Sequence, residues 1–151
     1  MTPRIEKAVE ESLEMLKENK LKKGRCSACW VGNHFGGWSD WSERFVTVYS
    51  GQTIWTREEI EKRVGVGHTN RILKKIESSP FSEAELMKIE YAFETGAKIH
   101  SVHYYQYTPE EIRADQLKGL EAVIEVMLDF DDVKESVQEV FTSKAELIPI
   151  T

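Results

Sequence analysis

Residues 107–130 read YTPEEIRADQLKGLEAVIEVMLDF, and this stretch has the longest helical pattern in the chain. Thr108 and Glu111 have the spacing of a capping box, in which the hydroxyl and the carboxylate bond the free N–H groups at a helix start. Pro109 suits the first helical position, because its missing N–H group is not needed there. We therefore predict a helix that begins at Pro109 and ends near residue 129 or 130. Its inward-facing stripe contains Ile112, Leu117, Leu120, Ile124 and Met127.

The same capping device occurs at two other places. Thr56-x-x-Glu59 and Ser82-x-x-Glu85 repeat the capping-box spacing, and an apolar pair placed as a hydrophobic staple flanks each box. Because a capping box and an apolar staple pair occur together at each of these places, we predict a helix start at each box. The staple pairs are Trp55 with Ile60, Phe81 with Leu86, and Tyr107 with Ile112.

Two further helices are expected towards the ends of the chain. An apolar stripe predicts a first helix from Pro3 to about Lys23, with Gly24 as its stop. Asp132-x-x-Glu135 predicts a last helix with an acidic cap. These patterns together predict an all-α fold of the helical-bundle type.

Residues 24–55 differ from the rest of the chain, because they contain seven aromatic residues, all four tryptophans and five of the nine glycines. We expect an aromatic, Gly-rich irregular segment that packs against the helices. Residues 45–49 alternate as a strand does, and a turn over residues 50–52 would lead into a second strand. The pattern therefore predicts a small β-hairpin within residues 44–55.

Length and composition exclude several classes of protein. A chain of 151 residues has the usual size of one domain, so we expect residues 1–151 to form a single domain. No apolar run approaches the roughly 20 residues that span a bilayer, and no secretory signal is visible, so we expect a cytoplasmic protein without a membrane partner. Residues 101–151 hold eleven acidic against four basic side chains, which disfavours contact with nucleic acid or anionic lipid there.

The two cysteines form a C-x-x-C pair, which cannot build a disulfide framework. Thiolate and imidazole are preferred zinc ligands, so Cys26 and Cys29 with His100 and His103 are candidate ligands of a structural zinc ion. A redox role is a second use of such a pair. In the alternative interpretation both cysteines are small buried hydrophobic residues, and the protein has no cofactor.

A second candidate site lies in residues 57–75, which have six basic and three acidic side chains. Two short helices joined by a Gly-containing turn resemble a helix-turn-helix motif, which binds nucleic acid. The alternative is a simple helix corner with a solvated basic face. In the nucleic-acid hypothesis the contacts come from Thr69, Asn70, Arg71, Lys74 and Lys75.

A third candidate site combines aromatic and polar side chains from two parts of the chain. Such a set can line a ligand pocket or form the centre of a protein interface, although it can equally form an ordinary core. No P-loop, Rossmann, zinc-protease or serine-hydrolase motif is present, so we expect a protein that is not an enzyme. The candidate residues are Trp30, Asn33, His34, Trp38, Trp41, Tyr104 and Tyr105.

The run Cys26-Ser-Ala-Cys-Trp-Val-Gly-Asn33, followed later by Ile89-Glu-x-x-Phe-Glu94, resembles a group of small uncharacterised bacterial and prophage proteins with a C-x-x-C-x-V-G-N motif. The resemblance implies that the cysteine motif belongs to the fold and that the chain is a whole small protein. It implies no activity, cofactor or catalytic residue. We therefore predict a non-enzymatic binding or accessory protein of a bacterium or its phage. Its partner is a protein or a small molecule, and a nucleic-acid binder and a structural zinc protein are the alternatives.

Overall fold

The computed structural model describes residues 2–48, 51–133 and 136–150. Within these ranges the chain is mainly helical, and the prediction of an all-α fold is confirmed. Seven α-helices and one two-stranded sheet are present in the described part of the chain. The helices are α1 (Pro3–Lys17), α2 (Trp30–His34), α3 (Arg57–Val64), α4 (Val66–Glu77), α5 (Glu83–Gly96), α6 (Pro109–Phe130) and α7 (Val137–Glu146), and the strands are β1 (Phe45–Val48) and β2 (Gly51–Ile54). Two 3-10 helices cover Asp40–Arg44 and Ser101–Gln106.

All three predicted capping boxes are formed. In α3, α5 and α6 the cap hydroxyl accepts from the third helical N–H group, and the Glu at that position accepts from the cap N–H group. The predicted acidic cap is wrong, because α7 begins at Val137 behind Ser136. Asp132 instead has a left-handed backbone with φ of 50°, and Glu135 lies outside the described residues.

Helix α1 ends at Lys17, six residues before the predicted end at Lys23. Asn19 has a φ of 55°, the Lys20 N–H group donates to the Met15 carbonyl at 3.0 Å, and the Asn19 N–H group donates to the Leu16 carbonyl at 3.2 Å. This pattern is a Schellman motif, in which Asn can replace the usual Gly. Leu21, which follows the motif, is buried, so the helix stops where the chain has to turn back onto the core.

Helices α5 and α6 form an antiparallel pair in close contact. A Cβ atom on Gly96 would lie 2.8 Å from the Ala122 Cβ atom, and one on Gly119 would lie 3.2 Å from the Phe93 ring. Small residues at this crossing let the two helices approach closely. The pair is part of a buried core whose largest fully buried side chains include Trp30, Phe93 and Phe141.

The predicted β-hairpin corresponds to an antiparallel pairing of β1 with β2, in which Phe45 faces Ile54 and Val48 faces Gly51. Gly51 and Gln52 pair with β1 as part of β2, so these two residues do not form the predicted turn. Tyr49 and Ser50 lie outside the described residues.

The apolar C-terminal segment is held against the body by Arg113. Its guanidinium donates to the Ile148 carbonyl at 3.0 Å and to the Pro149 carbonyl at 2.9 Å. No helix in the described ranges is both long enough and apolar enough to cross a membrane.

Candidate partner-binding groove

The C-x-x-C-x-V-G-N motif builds the start of α2. Cys29 is the N-cap residue, and its buried Sγ atom accepts from the Gly32 N–H group at 3.4 Å. Burial raises the pKa of the Cys29 thiol to about 12. Gly32 is required because a Cβ atom there would lie 2.0 Å from the Cys26 carbonyl oxygen. The motif residues Cys29 and Gly32 therefore have a local structural role.

Asn33 completes this arrangement. Its side-chain amide donates to the carbonyl groups of Lys20, Ala28 and Cys29 at 3.0–3.1 Å. It thereby ties the loop that precedes α2 to the helix. Because the amide hydrogens are used in this way, Asn33 stabilises the fold and its NH₂ group is not available to a ligand.

The four candidate zinc ligands have different surroundings. Cys29 is buried and Cys26 is exposed. The ring centroids of His100 and His103 lie 6.4 Å apart. The His100 ring also packs against Gly24, where a Cβ atom would lie 2.0 Å from the imidazole Nε2 atom. In the described ranges no three His, Cys, Asp or Glu side chains are grouped so that they could hold a metal ion. The two-cysteine, two-histidine arrangement is therefore not assembled in this conformation, and zinc binding stays a prediction.

Two of the candidate aromatic side chains, Trp30 and Trp41, belong to the core. Trp30 is fully buried, and its indole N–H group donates to the Ser12 hydroxyl at 2.9 Å. Trp41 is also buried, and its indole N–H group donates to the Cys26 carbonyl at 2.8 Å. Neither ring is available to a partner in this fold, because each ring is buried in the core and its N–H group already donates a hydrogen bond within the chain.

His34 lies between two other elements. Its Nδ1 atom lies 2.8 Å from a Glu11 carboxylate oxygen, and its Nε2 atom lies 2.8 Å from the Ser79 hydroxyl. The ring also stacks on Trp30 with a centroid distance of 4.9 Å. With both nitrogens occupied and the side chain 7% exposed, His34 is a structural link rather than a surface ligand.

The remaining members of the set are more accessible. Trp38 is half-buried, and the Lys75 ammonium lies 4.7 Å from its ring centroid. Burial raises the pKa of the Tyr104 phenol, which is half-buried. Tyr105 is 82% exposed and is the one exposed side chain of the seven candidates.

The helix pair α3–α4 differs from the predicted helix-turn-helix in its connection and its charge. Gly65 alone joins the helices, with a φ of 87°. Thr69 cannot approach a base edge, because it is buried and its hydroxyl donates to the Gly65 carbonyl. Asn70 accepts from Arg57 at 2.5 Å. Within the predicted contact set, Arg71 and Lys74 are exposed and make no side-chain hydrogen bond or ion pair with the described residues.

Nearby carboxylates also offset the basic charge of this region. Arg63 forms an ion pair with Glu43 at 2.9 Å, and Arg57 forms one with Glu61 at 3.5 Å. Two of the six basic side chains of residues 57–75 are therefore paired with carboxylates in the fold.

A groove of about 650 Å³ lies between α5 and α6 at the surface. Both helices present residues three and four positions apart, which share one helical face. The α5 side is formed by Glu85, Lys88, Tyr91, Ala92 and Thr95. The α6 side is formed by Ala122, Glu125, Val126, Asp129 and Phe130. Small and apolar side chains form the floor, and Tyr91 is 57% exposed at its edge.

One rim of the groove is acidic. Glu121, Glu125 and Asp129 recur every four residues along α6 and form an acidic stripe. A second hollow, of about 510 Å³, adjoins the stripe between α6 and α7, and Glu139 lines it with Glu121 and Glu125. Among the described residues, no Lys or Arg lines this second hollow.

The other rim has less free charge. Lys88 is the one basic side chain among the described residues that line the groove, and the Glu85 carboxylate there is paired with Arg4 at 2.8 Å. Among the described residues, the unpaired charge at the groove is therefore mainly negative and lies on α6.

Sequence reasoning missed this groove, although α6 contains a signal for it. Besides the inward stripe, Ala122, Val126 and Phe130 recur every four residues beside the acidic positions. A second apolar stripe indicates a second face of the helix that is at least partly covered, and here all three side chains pack partly against the core and leave the rest of their surface to the groove. In comparisons with known proteins, no family model, no curated protein and no solved structure matches this chain.

Proposed function

We propose that this chain is a non-enzymatic accessory protein, of a bacterium or its phage, that binds a cationic amphipathic helix of a partner protein in the α5–α6 groove. The observation that carries the proposal is an apolar floor directly beside the acidic stripe. The bacterial or phage origin rests on the resemblance of the C-x-x-C-x-V-G-N motif alone.

The shape of the groove suits a third helix. Two packed antiparallel helices leave a furrow on their outer side, and the side chains of another helix can fill it. Recognition of this kind uses apolar anchors at positions i, i+3, i+4 and i+7 of the bound helix. Tyr91 and Val126 provide apolar contact area on opposite sides of the furrow.

The charge around the groove selects the chemistry of the partner. Glu125 and Asp129 are exposed on the α6 rim, and neither forms an ion pair with another described residue. Basic side chains on the flank of the bound helix would pair with these carboxylates, whereas an acidic flank would be repelled. Complementary rim charges of this kind increase the association rate and suppress wrong partners.

Two synthetic peptides test this proposal. The first is an amphipathic helix with leucine on one face and lysine on its flanks, and in the second glutamate replaces every lysine. Fluorescence anisotropy gives the affinity, and amide chemical shifts locate the site. The test variant is Glu125→Lys with Asp129→Lys, and the matched control is Glu10→Lys with Glu77→Lys, which reverses two exposed carboxylates outside the groove.

We expect the lysine peptide to bind wild type and control with similar affinity and to shift amides of α5 and α6. Binding to the groove variant should weaken about tenfold, because two rim pairs are replaced by repulsion. Absence of saturable binding by the lysine peptide would overturn the proposal, as would equal affinities of the two charge-reversed variants or equal binding of the glutamate peptide.

The apolar floor needs a separate variant. Val126→Asp places a charge in the furrow, and Val140→Asp makes the same change at a site on α7 that is 50% exposed and outside the groove. Weaker binding of the lysine peptide to the first variant alone is the expected result. An unchanged affinity of Val126→Asp would mean that the furrow is not the site.

A further inference from the structure

The most basic stretch of this acidic protein lies between α1 and α2. Residues 17–25 contain five basic side chains and one acidic side chain, although the whole chain has a net charge of −6. Such a local excess creates a positive potential that attracts anions. The basic residues are Lys17, Lys20, Lys22, Lys23 and Arg25, and the acidic residue is Glu18.

Three of these cations line one cavity of about 410 Å³. Lys20, Lys22 and Arg25 share its wall with polar residues and two glycines, and no Asp or Glu of the described ranges lines it. Lys20 forms an ion pair with Glu18 just outside the cavity. Within the described residues, the side chains of Lys22 and Arg25 have no ion pair or hydrogen bond.

The wall of this cavity also offers neutral donors. Asn19 and Ser27 line it, and neither side chain makes a hydrogen bond to a described residue. Gly36 and Gly37 have φ values of 81° and 85°, and a Cβ atom on either would meet nothing within 4 Å. The open glycine backbone leaves the entrance of the cavity wide.

Hydrogen bonds hold the loop that forms the cavity. The Lys22 N–H group donates to the Ala28 carbonyl at 2.8 Å, and the N–H group of Cys29 donates to the Arg25 carbonyl at 2.8 Å. Asn33 ties the same loop to α2. The backbone that positions Lys22 and Arg25 is therefore fixed before any ligand binds, which reduces the entropic cost of binding.

From this arrangement we infer a binding site for the phosphate group of a small molecule, held by Lys22 and Arg25 with Asn19 and Ser27 as additional donors. A guanidinium forms paired hydrogen bonds with phosphate oxygens, and an ammonium adds a compact positive charge. The volume suits a phosphorylated small molecule. The site shares no residue with the α5–α6 groove, so it stands independently of the function proposed above.

Inorganic phosphate and pyrophosphate are the probes, and acetate is the control anion. Isothermal titration calorimetry gives the affinity, and amide chemical shifts locate the site. The test variant is Lys22→Gln with Arg25→Gln. The matched control is Lys7→Gln with Lys118→Gln, which removes the same charge at exposed positions away from the cavity. Vesicles of phosphatidylglycerol and phosphatidylcholine test a lipid headgroup as the source of the phosphate.

We expect saturable binding of pyrophosphate, with shifts in residues 19–37 and an affinity at least about tenfold lower in the cavity variant than in the control. Acetate should not compete. Equal weakening of both variants would mean a general charge effect and would overturn the inference. It would also be overturned by acetate binding as tightly as phosphate, by absence of saturable binding, or by binding to vesicles alone.

Discussion

Arg4 links three parts of the fold, and its replacement tests how much this link stabilises the protein. Its guanidinium donates to both Glu85 carboxylate oxygens at 2.8 and 2.9 Å and to the Asp131 carboxylate at 2.5 Å. It also lies 5.0 Å from the centroid of Phe81. A side chain of α1 thereby joins the start of α5 to the end of α6.

Arg4→Met keeps an unbranched apolar stem beside Phe81 but removes the charge. An exposed ion pair contributes about 0–1 kcal/mol, whereas breaking a buried pair costs about 3–5 kcal/mol. Because the Arg4 side chain is 23% exposed, we expect a loss of about 2–3 kcal/mol in the free energy of unfolding at neutral pH. Adding Asp131→Asn should recover about 1 kcal/mol, since one unpaired carboxylate is then removed.

The pH dependence supplies an independent check. Hydrogen bonding to Arg4 lowers the pKa of Glu85 and of Asp131. Carboxylates with a lowered pKa contribute stability that is complete above their unfolded pKa of about 4 and is lost as the pH falls through the folded values. The difference between wild type and Arg4→Met should therefore be largest at neutral pH and should narrow below about pH 4.

Urea unfolding followed by circular dichroism measures these quantities. The double variant shows whether the loss comes from unpaired charge or from lost packing of the stem. A loss below about 0.5 kcal/mol, in the range of an ordinary surface substitution, would refute the reasoning. A difference that stays constant from neutral to acidic pH would refute its electrostatic part.

Three shorter predictions concern the region around α2. Cys29 is buried and its thiol pKa is raised, whereas Cys26 is exposed. One thiol per native chain, that of Cys26, should therefore react quickly with a disulfide reagent. Cys26→Ser should abolish this fast reaction. Fast reaction of both thiols would contradict the N-cap role of Cys29. Ser12→Ala should cost about 1–3 kcal/mol in urea unfolding, because it leaves the buried Trp30 N–H group without an acceptor, and a neutral result would mean that another acceptor is available. Gly24→Ala should lower the melting temperature, because Gly24 has a positive φ and a Cβ atom there would collide with the His100 ring. Adding His100→Ala to this variant should restore part of the loss. No change in the melting temperature of Gly24→Ala would show that the loop adapts freely.

The helix starts were predictable because capping is local. In α3, α5 and α6 the hydroxyl and the Glu lie three residues apart, so the bonds they form do not depend on the rest of the fold. The predicted cap at Asp132 failed because spacing alone does not fix the backbone conformation of the cap residue. Its spacing matched a cap, but its left-handed backbone continues the turn that ends α6, and α7 starts later.

The candidate sites were less predictable, because burial depends on residues that are distant in the chain. Trp30 and His34 suggested a binding surface from composition, but contacts with Ser12, Glu11 and Ser79 place them inside. Thr69 suggested a base contact, and its hydroxyl instead bonds the backbone one turn earlier.

By itself the sequence determined the helical class, the capped starts of α3, α5 and α6 and the excess of acid near the C-terminus, since each depends on composition or on neighbours within one turn. Tertiary structure alone decided which aromatic side chains are buried. It also placed the furrow of α5 and α6 beside the acidic stripe, and it gathered Lys20, Lys22 and Arg25 around one cavity. The physical reason is that a surface exists only after the chain has packed. Residues separated by many positions then share a wall that no local pattern describes.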